Sequence, residues 1–131
     1  MQRHLIDTNL LLRFLLNDMP SQAQAVSNLL QNPPGVLIVT DVAFAELAWV
    51  LVSFYQFPKD EIIEKLYSIL NMDILSLNKS LLSKTLKIYR DNQIDYIDAY
   101  HAAVVSQDSL ASIYSYDRDF DKISTIKRQE P

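Results

Sequence analysis

The sequence has no cysteine, one glycine and two histidines among its 131 residues. Without cysteine the chain can form no disulfide, no thiolate nucleophile and no sulfur-ligated zinc site. A single glycine provides no glycine-rich loop for phosphate or dinucleotide binding, which argues against a kinase, an NTPase or a dehydrogenase. With only two histidines, the sequence has few candidate residues for a histidine-rich zinc site or a nucleophilic triad.

The sequence also lacks a long apolar segment. The apolar stretch from Val42 to Tyr55 is too short to span a bilayer and carries Glu46 near its middle. The first residues become charged too early for the apolar region of a signal peptide. The absence of cysteine fits a reducing compartment. We therefore expect a cytoplasmic protein with no membrane association, and its length and 49% hydrophobic content predict a single domain over residues 1–131.

The formal net charge of −4 argues against a broad nucleic-acid-binding surface that relies on bulk positive charge. An RNA or DNA substrate would have to contact a local cluster of lysine and arginine. Taken singly, each basic side chain fits a solvated surface charge better than a nucleic-acid contact. The candidates for such a cluster are Arg3, Arg13, Arg118, Lys122, Lys127 and Arg128.

Short apolar strands alternate with helices along the whole chain. This alternation predicts an α/β fold in which right-handed crossovers connect a parallel sheet that helices cover on both faces. A threonine at position 8 is a candidate cap for the first helix. The predicted strands are 3–6, 36–39, 74–77, 112–116 and 125–127. The predicted helices run from a cap at Thr8 to about Leu16, from Pro20 to before Asn32, from a cap at Thr40 or Asp41 through Tyr55, from near Pro58, from Asn78 or Ser80 through Tyr89, and from about Tyr96 to Gln107.

Four acidic residues lie in apolar surroundings where a soluble protein normally places a hydrophobic residue. Removing a carboxylate from water without a partner costs several kcal/mol. In open α/β sheets ligands bind beyond the carboxyl ends of the strands, so these acids are expected to meet at one edge. Hard cations such as Mg²⁺ and Mn²⁺ prefer carboxylate oxygens, and the pattern predicts a site for one or two of them. The four residues are Asp7, Glu46, Asp98 and Asp117.

Three of these acids also have an ordinary structural interpretation. Asp7 is placed to cap the helix that follows it, and Asp98 fits a first-turn acid stabilised by the helix dipole. Asp117 and Asp119 both suit a turn. We expect Asp7, Asp98 and Asp117 to be direct or water-mediated metal ligands, with Glu46 as a ligand or as the residue that orients a metal-bound water. Asp95 is expected to be a cap or a support for the site, and Asp119 to cap the short turn before Phe120. For Glu46 the ordinary structural interpretation is weakest, because glutamate is rarely buried without a partner.

Two further predictions concern the surroundings of the site. His101 lies one helical step beyond Asp98, and we expect a hydrogen-bonded, partly buried histidine here and not a ligand. The helix from residue 41 is apolar on nearly every face. Its apolar side chains are predicted to be core, and a dimer interface would cover its outer face. These side chains are Phe44, Trp49, Leu51 and Val52.

Taken in order, four sequence motifs resemble those of PIN domains, and most closely the VapC-type toxins of bacterial toxin–antitoxin pairs. The resemblance spans essentially the whole chain. Any one motif is weak, but the ordered set is fairly specific. The motifs are Ile6-Asp7-Thr8-Asn9, Glu46 in an apolar helix, Asp95-Tyr96-Ile97-Asp98-Ala99, and Ser115-Tyr116-Asp117-Arg118-Asp119-Phe120.

The resemblance implies a three-layer sandwich, with a five-stranded parallel sheet between helices, and a Mg²⁺- or Mn²⁺-dependent endoribonuclease. Metal-activated water would cleave RNA to leave 5′-phosphate and 3′-hydroxyl ends. The four acids would form the catalytic metal site, with Asn9 and Ser115 in support, and Arg13 and Arg118 are candidates for RNA contact. Related toxins are commonly homodimers that a cognate antitoxin inhibits, and a basic antitoxin segment would suit an acidic site.

Two other functions fit the same resemblance. A housekeeping PIN nuclease would process RNA without an antitoxin, and flap nucleases carry insertions for which 131 residues leave no room. A catalytically silent PIN-like domain would act as a binding module. Such a module is expected to have lost one or more of the four acids, whereas this chain retains them all.

Overall fold

The computed structural model describes residues 1–131 as an α/β chain in which every strand pair is parallel. The chain divides into two compact units, Met1–Asn78 and Lys79–Pro131, which are described separately. None of the helices combines the length and the apolar character that crossing a membrane requires. The helices are α1 (Thr8–Leu16), α2 (Pro20–Gln31), α3 (Asp41–Ser53), α4 (Lys59–Leu70), α5 (Lys79–Asp91) and α6 (Tyr96–Gln107); the strands are β1 (Arg3–Leu5), β2 (Val36–Ile38), β3 (Leu75–Ser76), β4 (Ile113–Tyr114) and β5 (Arg128–Gln129).

The prediction of one five-stranded sheet is wrong. The first unit holds a three-stranded sheet in the order β1-β2-β3, and the second unit holds a separate pair, β4-β5. Each strand is only two or three residues long. Such short strands pair through few backbone hydrogen bonds, so apolar sequence alone does not determine which strands become neighbours. The parallel direction and the edge position of β3 are confirmed, while the three-layer arrangement stays a prediction.

In the first unit, β2 occupies the centre of the sheet. The Ile6 N–H donates to Ile38 O at 2.8 Å, and the Val39 N–H donates to Ser76 O at 2.9 Å. Leu37 and Val39 are almost fully buried. The first strand is less buried than the sequence predicts, because β1 lies at the edge of this sheet, and Leu5 is 72% exposed.

Helix α3 has one buried face and one exposed face, although both are apolar. Thr40 caps the helix, because its Oγ1 accepts the Ala43 N–H at 3.1 Å. Phe44, Leu47, Ala48 and Leu51 follow helical spacing and are fully buried. The prediction that Trp49 and Val52 belong to the core is wrong. They lie on what we call the outer face of α3, formed by Val42 (76% exposed), Trp49 (63%) and Val52 (42%).

In the second unit, helices α5 and α6 pack against each other. The stripe predicted for α5 is confirmed, since all its members are buried: Leu81, Leu82, Thr85, Leu86 and Tyr89. The Thr85 hydroxyl satisfies its hydrogen-bonding need by donating to Leu81 O at 2.9 Å. Tyr89 meets Tyr96 of α6 edge to face, with ring centroids 5.8 Å apart.

The fifth strand lies later in the chain than predicted. The sequence favours residues 125–127, but β5 is Arg128–Gln129. A turn precedes it, in which the Ile126 N–H donates to Ile123 O at 3.3 Å. The backbone becomes available to β4 only after that turn, and the Ser115 N–H then donates to Gln129 O at 2.9 Å.

The chain's only glycine lies where two backbone segments approach closely. The Val36 N–H donates to Gln2 O at 2.8 Å, and a Cβ on Gly35 would lie 2.3 Å from the same oxygen. Because the obstructing atom is backbone, β1 would have to move away from β2. We expect Gly35→Ala to lower the free energy of unfolding by about 1–3 kcal/mol, measured by urea denaturation.

The exposed Gln31→Ala, at the end of α2, is the control, and we expect it to change the free energy of unfolding by less than about 0.5 kcal/mol. Wild-type stability in Gly35→Ala would show that this close approach does not constrain the sheet.

Candidate metal centre

Helix α6 begins at Tyr96 and carries Asp98 in its first turn. Asp95 holds the N-cap position, as predicted, with extended backbone angles of φ −72° and ψ 158°, but its side chain makes no capping hydrogen bond. Asp98 is half-buried. The start of α6 therefore has two carboxylates within four residues, and neither side chain makes a hydrogen bond that caps the helix.

The segment after β4 is fixed by two successive hydrogen bonds from backbone to side chain. The Asp117 N–H donates to Ser115 Oγ at 2.9 Å, and the Asp119 N–H donates to Asp117 Oδ1 at 2.9 Å. Asp117 thereby caps the short 3₁₀ turn Arg118–Lys122. Ser115 therefore holds the backbone of Asp117, and its predicted support of a metal site stays a prediction.

Asp98, Asp117 and Asp119 form a cluster. One carboxylate oxygen from each lies within 4.8 Å of the other two. The prediction that Asp119 caps the short turn is wrong: Asp117 makes that contact, and Asp119 joins the cluster. The carboxylate of Asp119 also lies 3.0 Å from Lys122 Nζ. The cluster thus contains two predicted ligands and one residue to which sequence reasoning gave another role.

The electrostatics of the cluster affect Asp98 most clearly. Burial raises the pKa of Asp98 above its ordinary value, and the carboxylates of Asp117, Asp95 and Asp119 raise this pKa further, while His101 lowers it. Each of these effects of burial and like charge penalises the ionised carboxylate. A bound divalent cation would instead favour the ionised form of this carboxylate. Three hard oxygen donors at these distances fit Mg²⁺ or Mn²⁺ in ligand type.

His101 lies near the cluster without belonging to it. The side chain is exposed, so the prediction of a partly buried histidine is wrong. Its ring contacts the Tyr100 ring, with centroids 6.2 Å apart. The expectation that His101 is not a ligand stays a prediction.

Arg128 is a structural residue of the second unit. Its Nε lies 3.0 Å from Asp121 Oδ1, and its Nη1 donates to Glu130 Oε2 and to Ser115 O, both at 2.9 Å. The hydrogen bonds that Arg128 donates to the carboxylates of Asp121 and Glu130 raise the pKa of its guanidinium. Arg128 was a candidate for nucleic-acid contact, but its donors instead tie β5 to the segment that carries Asp117.

In the first unit, Asp7 occupies the N-cap position of α1, yet its side chain makes no capping hydrogen bond. The prediction that Thr8 caps this helix is wrong. Thr8 is buried inside the first turn, and its hydroxyl donates to Ala43 O of α3 at 3.3 Å. Asp7 and Asn9 are both exposed. The carboxylate of Asp7 is therefore accessible to solvent, and it does not cap the helix through a hydrogen bond.

Glu46 is exposed, which contradicts the expectation of a buried glutamate. The reason is its position on α3, where it lies away from the face formed by Phe44, Leu47 and Leu51. An apolar sequence on both sides of Glu46 does not imply burial when the helix has an exposed apolar face. The exposure leaves the carboxylate open to a ligand, and its role in the site stays a prediction.

The two arginines proposed for RNA contact differ in their surroundings. Arg13 is half-buried, and its Nη1 lies 2.9 Å from Asp18 Oδ1. Arg118 is exposed at the start of the 3₁₀ turn, directly after Asp117. Arg118 is therefore the more accessible of the two candidates.

The sequence did contain a signal for Asp119. Serine and aspartate at positions 115 and 117 each accept a backbone N–H from two residues further along, which is a common use of these side chains in turns. Once Asp117 supplies that acceptor, a second aspartate at position 119 is not needed as the cap. The sequence could therefore have indicated that Asp119 has another role.

Comparison with known proteins gives a family assignment. A search of curated proteins found no match to the chain. The family model described as PIN domain matches residues 4–126, a span that includes Asp7, Glu46, Asp95, Asp98, Asp117 and Asp119. Since this match covers most of the sequence, the chain belongs to the PIN domain family.

Proposed function

We propose that this protein is a Mg²⁺- or Mn²⁺-dependent endoribonuclease. Membership of the PIN family supports a nuclease, because PIN domains are commonly nucleases that use these metals. The observation that carries the proposal is the cluster of Asp98, Asp117 and Asp119, whose oxygens lie within 4.8 Å of one another. Carboxylates gathered this closely repel one another, and a divalent cation would neutralise them.

In this proposal Asp98, Asp117 and Asp119 hold the metal, and Asp7 and Glu46 serve the same reaction as predicted from their motif positions. A bound divalent cation would supply Lewis-acid activation of the water and of the phosphodiester. The water oxygen forms a bond to phosphorus as the bond to the 3′ oxygen breaks. The two protons of water end on the 3′-hydroxyl and on the 5′-phosphate, which is then free to ionise.

The remaining residues hold this arrangement in place. Ser115 fixes the backbone of Asp117, and Asp117 in turn fixes that of Asp119. Lys122 offsets part of the negative charge on Asp119 at 3.0 Å. Asp95 adds negative potential that raises the pKa of Asp98, and so increases the gain from a cation. Support of this kind commonly changes metal affinity or activity by about 10–100-fold.

We expect the purified protein to cleave structured RNA in Mg²⁺ or Mn²⁺, and EDTA to abolish the cleavage. Asp98→Asn and Asp117→Asn should each lower the rate on the order of 100-fold or more, because each substitution removes a charged oxygen donor and nearly preserves shape. Asp7→Asn and Glu46→Gln should do the same if these residues serve the reaction. Gel analysis of end-labelled RNA gives the rates.

Asp108→Asn is the matched control, since it makes the same change at the exposed, opposite end of α6. We expect wild-type cleavage from this variant. Metal-independent cleavage by the wild type, or full activity of Asp98→Asn, would contradict the mechanism.

The raised pKa of Asp98 predicts a pH effect on the metal-free protein. The folded state binds this proton more tightly than the unfolded chain, so the contribution to stability is complete below the ordinary pKa, about 4, and is lost as pH rises through the raised value. Asp98→Asn should therefore unfold at a higher temperature than the wild type in EDTA at pH 7, and this advantage should diminish towards pH 4.

Mn²⁺ should reverse that order. A cation that binds only the folded protein stabilises it by about 2.7 kcal/mol at 100 times its Kd, and Asp98→Asn should lose most of this gain. Glu64→Gln, exposed on α4, is the control and should follow the wild type throughout. An Asp98→Asn variant that responds to Mn²⁺ like the wild type would exclude Asp98 as a ligand.

We also propose that the protein is the toxin of a VapBC-type toxin–antitoxin pair, acting in the cytoplasm. The ordered motifs support this assignment. A basic antitoxin segment would suit the charge of the acidic cluster. A homodimer is part of the same proposal, and the exposed apolar side chains on the outer face of α3 support it.

For the toxin assignment, induced expression in a bacterial host should arrest growth within a few generations, because cleavage of cellular RNA stops protein synthesis. Asp117→Asn at the same protein level should permit growth. A short upstream gene for a small DNA-binding protein should restore growth when expressed together with the wild type. Normal growth with active wild-type enzyme, or a solitary gene, would favour a housekeeping nuclease.

A further inference from the structure

The second unit contains a groove formed by two adjoining depressions. One has a volume of about 490 Å³ and the other about 320 Å³. Both depressions are lined by Ser106, Ser124 and Thr125, so the two are continuous. These three residues are exposed and carry hydroxyl groups. The surface between α5, α6 and the segment before β5 is thus concave and rich in hydrogen-bond donors.

Lysine side chains line both depressions of this groove. Lys127 lines the larger depression, and Lys84, Lys87 and Lys122 line the smaller one. We call the whole surface the lysine groove. Lys84, Lys87 and Lys127 form no salt bridge. In a chain with a net charge of −4, a surface lined by four lysines and one carboxylate favours a negatively charged partner.

A single carboxylate, that of Asp91, lines the lysine groove, and it is already paired. Arg90 Nε lies 3.0 Å from Asp91 Oδ1. A hydrogen bond from Arg90, together with the charges of Arg90 and Lys87, lowers the pKa of Asp91. The one acid of the groove therefore offsets only part of the positive charge of its four lysines.

The lysine groove reaches the acidic cluster through Lys122. Its Nζ lies 3.0 Å from Asp119 Oδ1 and donates to Gln93 O at 2.9 Å, so this side chain is held at the junction. A negatively charged chain that follows the lysines would arrive beside Asp119. This continuity distinguishes the groove from scattered surface lysines, since it joins a cationic surface to the candidate catalytic carboxylates.

We propose that the lysine groove binds the phosphodiester backbone of a single RNA strand and directs it to the acidic cluster. Ammonium groups act as point charges for phosphates, and serine and threonine hydroxyls donate to phosphate oxygens. No aromatic side chain lines either depression, so the groove has no platform on which bases stack. The contact is therefore independent of base sequence. This inference rests on the proposed nuclease function.

The test is a salt titration with an RNA that hydrolysis cannot consume. Fluorescence anisotropy in EDTA would measure the binding of a fluorescein-labelled 2′-O-methyl oligouridine of 20 nucleotides over a range of KCl concentrations. Each phosphate contact by lysine contributes about 0.7 to the slope of log affinity against log salt for a single strand. Lys87→Gln/Lys127→Gln should therefore lower the slope by about 1.4, because one lysine is removed from each depression.

Lys65→Gln/Lys79→Gln is the matched control. It removes the same charge from exposed or half-buried positions outside the groove and should leave the slope unchanged. Equal slopes for the groove variant and the wild type would overturn the proposal. So would a wild type that binds polyglutamate but not the oligouridine, because the groove would then serve an acidic protein.

Cleavage of unmodified RNA in Mn²⁺ separates this inference from the proposed function. If the wild type cleaves RNA while the groove variant keeps the full salt slope, the nuclease stands and the groove proposal fails. If the groove variant loses the predicted slope while no protein cleaves RNA in any metal, the groove binds RNA and the nuclease proposal fails.

Discussion

Repulsion among Asp98, Asp117 and Asp119 is the constraint that the surrounding structure has to accommodate, since oxygens of all three lie within 4.8 Å of one another. Two local contacts partly offset it. Asp117 accepts the Asp119 N–H, and Lys122 lies beside Asp119. No comparable hydrogen bond or ion pair holds Asp98, and burial together with the neighbouring carboxylates raises its pKa. The metal-free cluster is therefore least stable at Asp98, where a cation would stabilise it most.

Helices were predictable because their signals are local. The apolar spacing of α5 determined which of its faces is buried, and a proline set the start of α2. Strand pairing was not predictable, because strands of two or three residues are defined by partners distant in sequence. The displaced β5 shows the same limit: a turn that ends at Ile126 shifted the pairing with β4 by several residues.

The candidate site was predictable in composition and less so in detail. Asp98 and Asp117 were identified because their motifs occur in order along the chain, whereas the roles of Asp117 and Asp119 in the turn were exchanged. Both roles need a carboxylate, and only the hydrogen bond from Asp119 N–H to Asp117 Oδ1 distinguishes them. Glu46 illustrates a different limit, because α3 is apolar on two faces and sequence alone does not indicate which face is exposed.

The exposed indole of Trp49 has a practical consequence. It is the chain's only tryptophan and lies 63% exposed on the outer face of α3. Where no partner covers this face, the indole is largely in contact with water, and unfolding would change its emission wavelength less than it would for a buried tryptophan. A partner or second copy that covers this face would move the emission to shorter wavelength. Tryptophan emission thus offers an optical probe for the covering of this face.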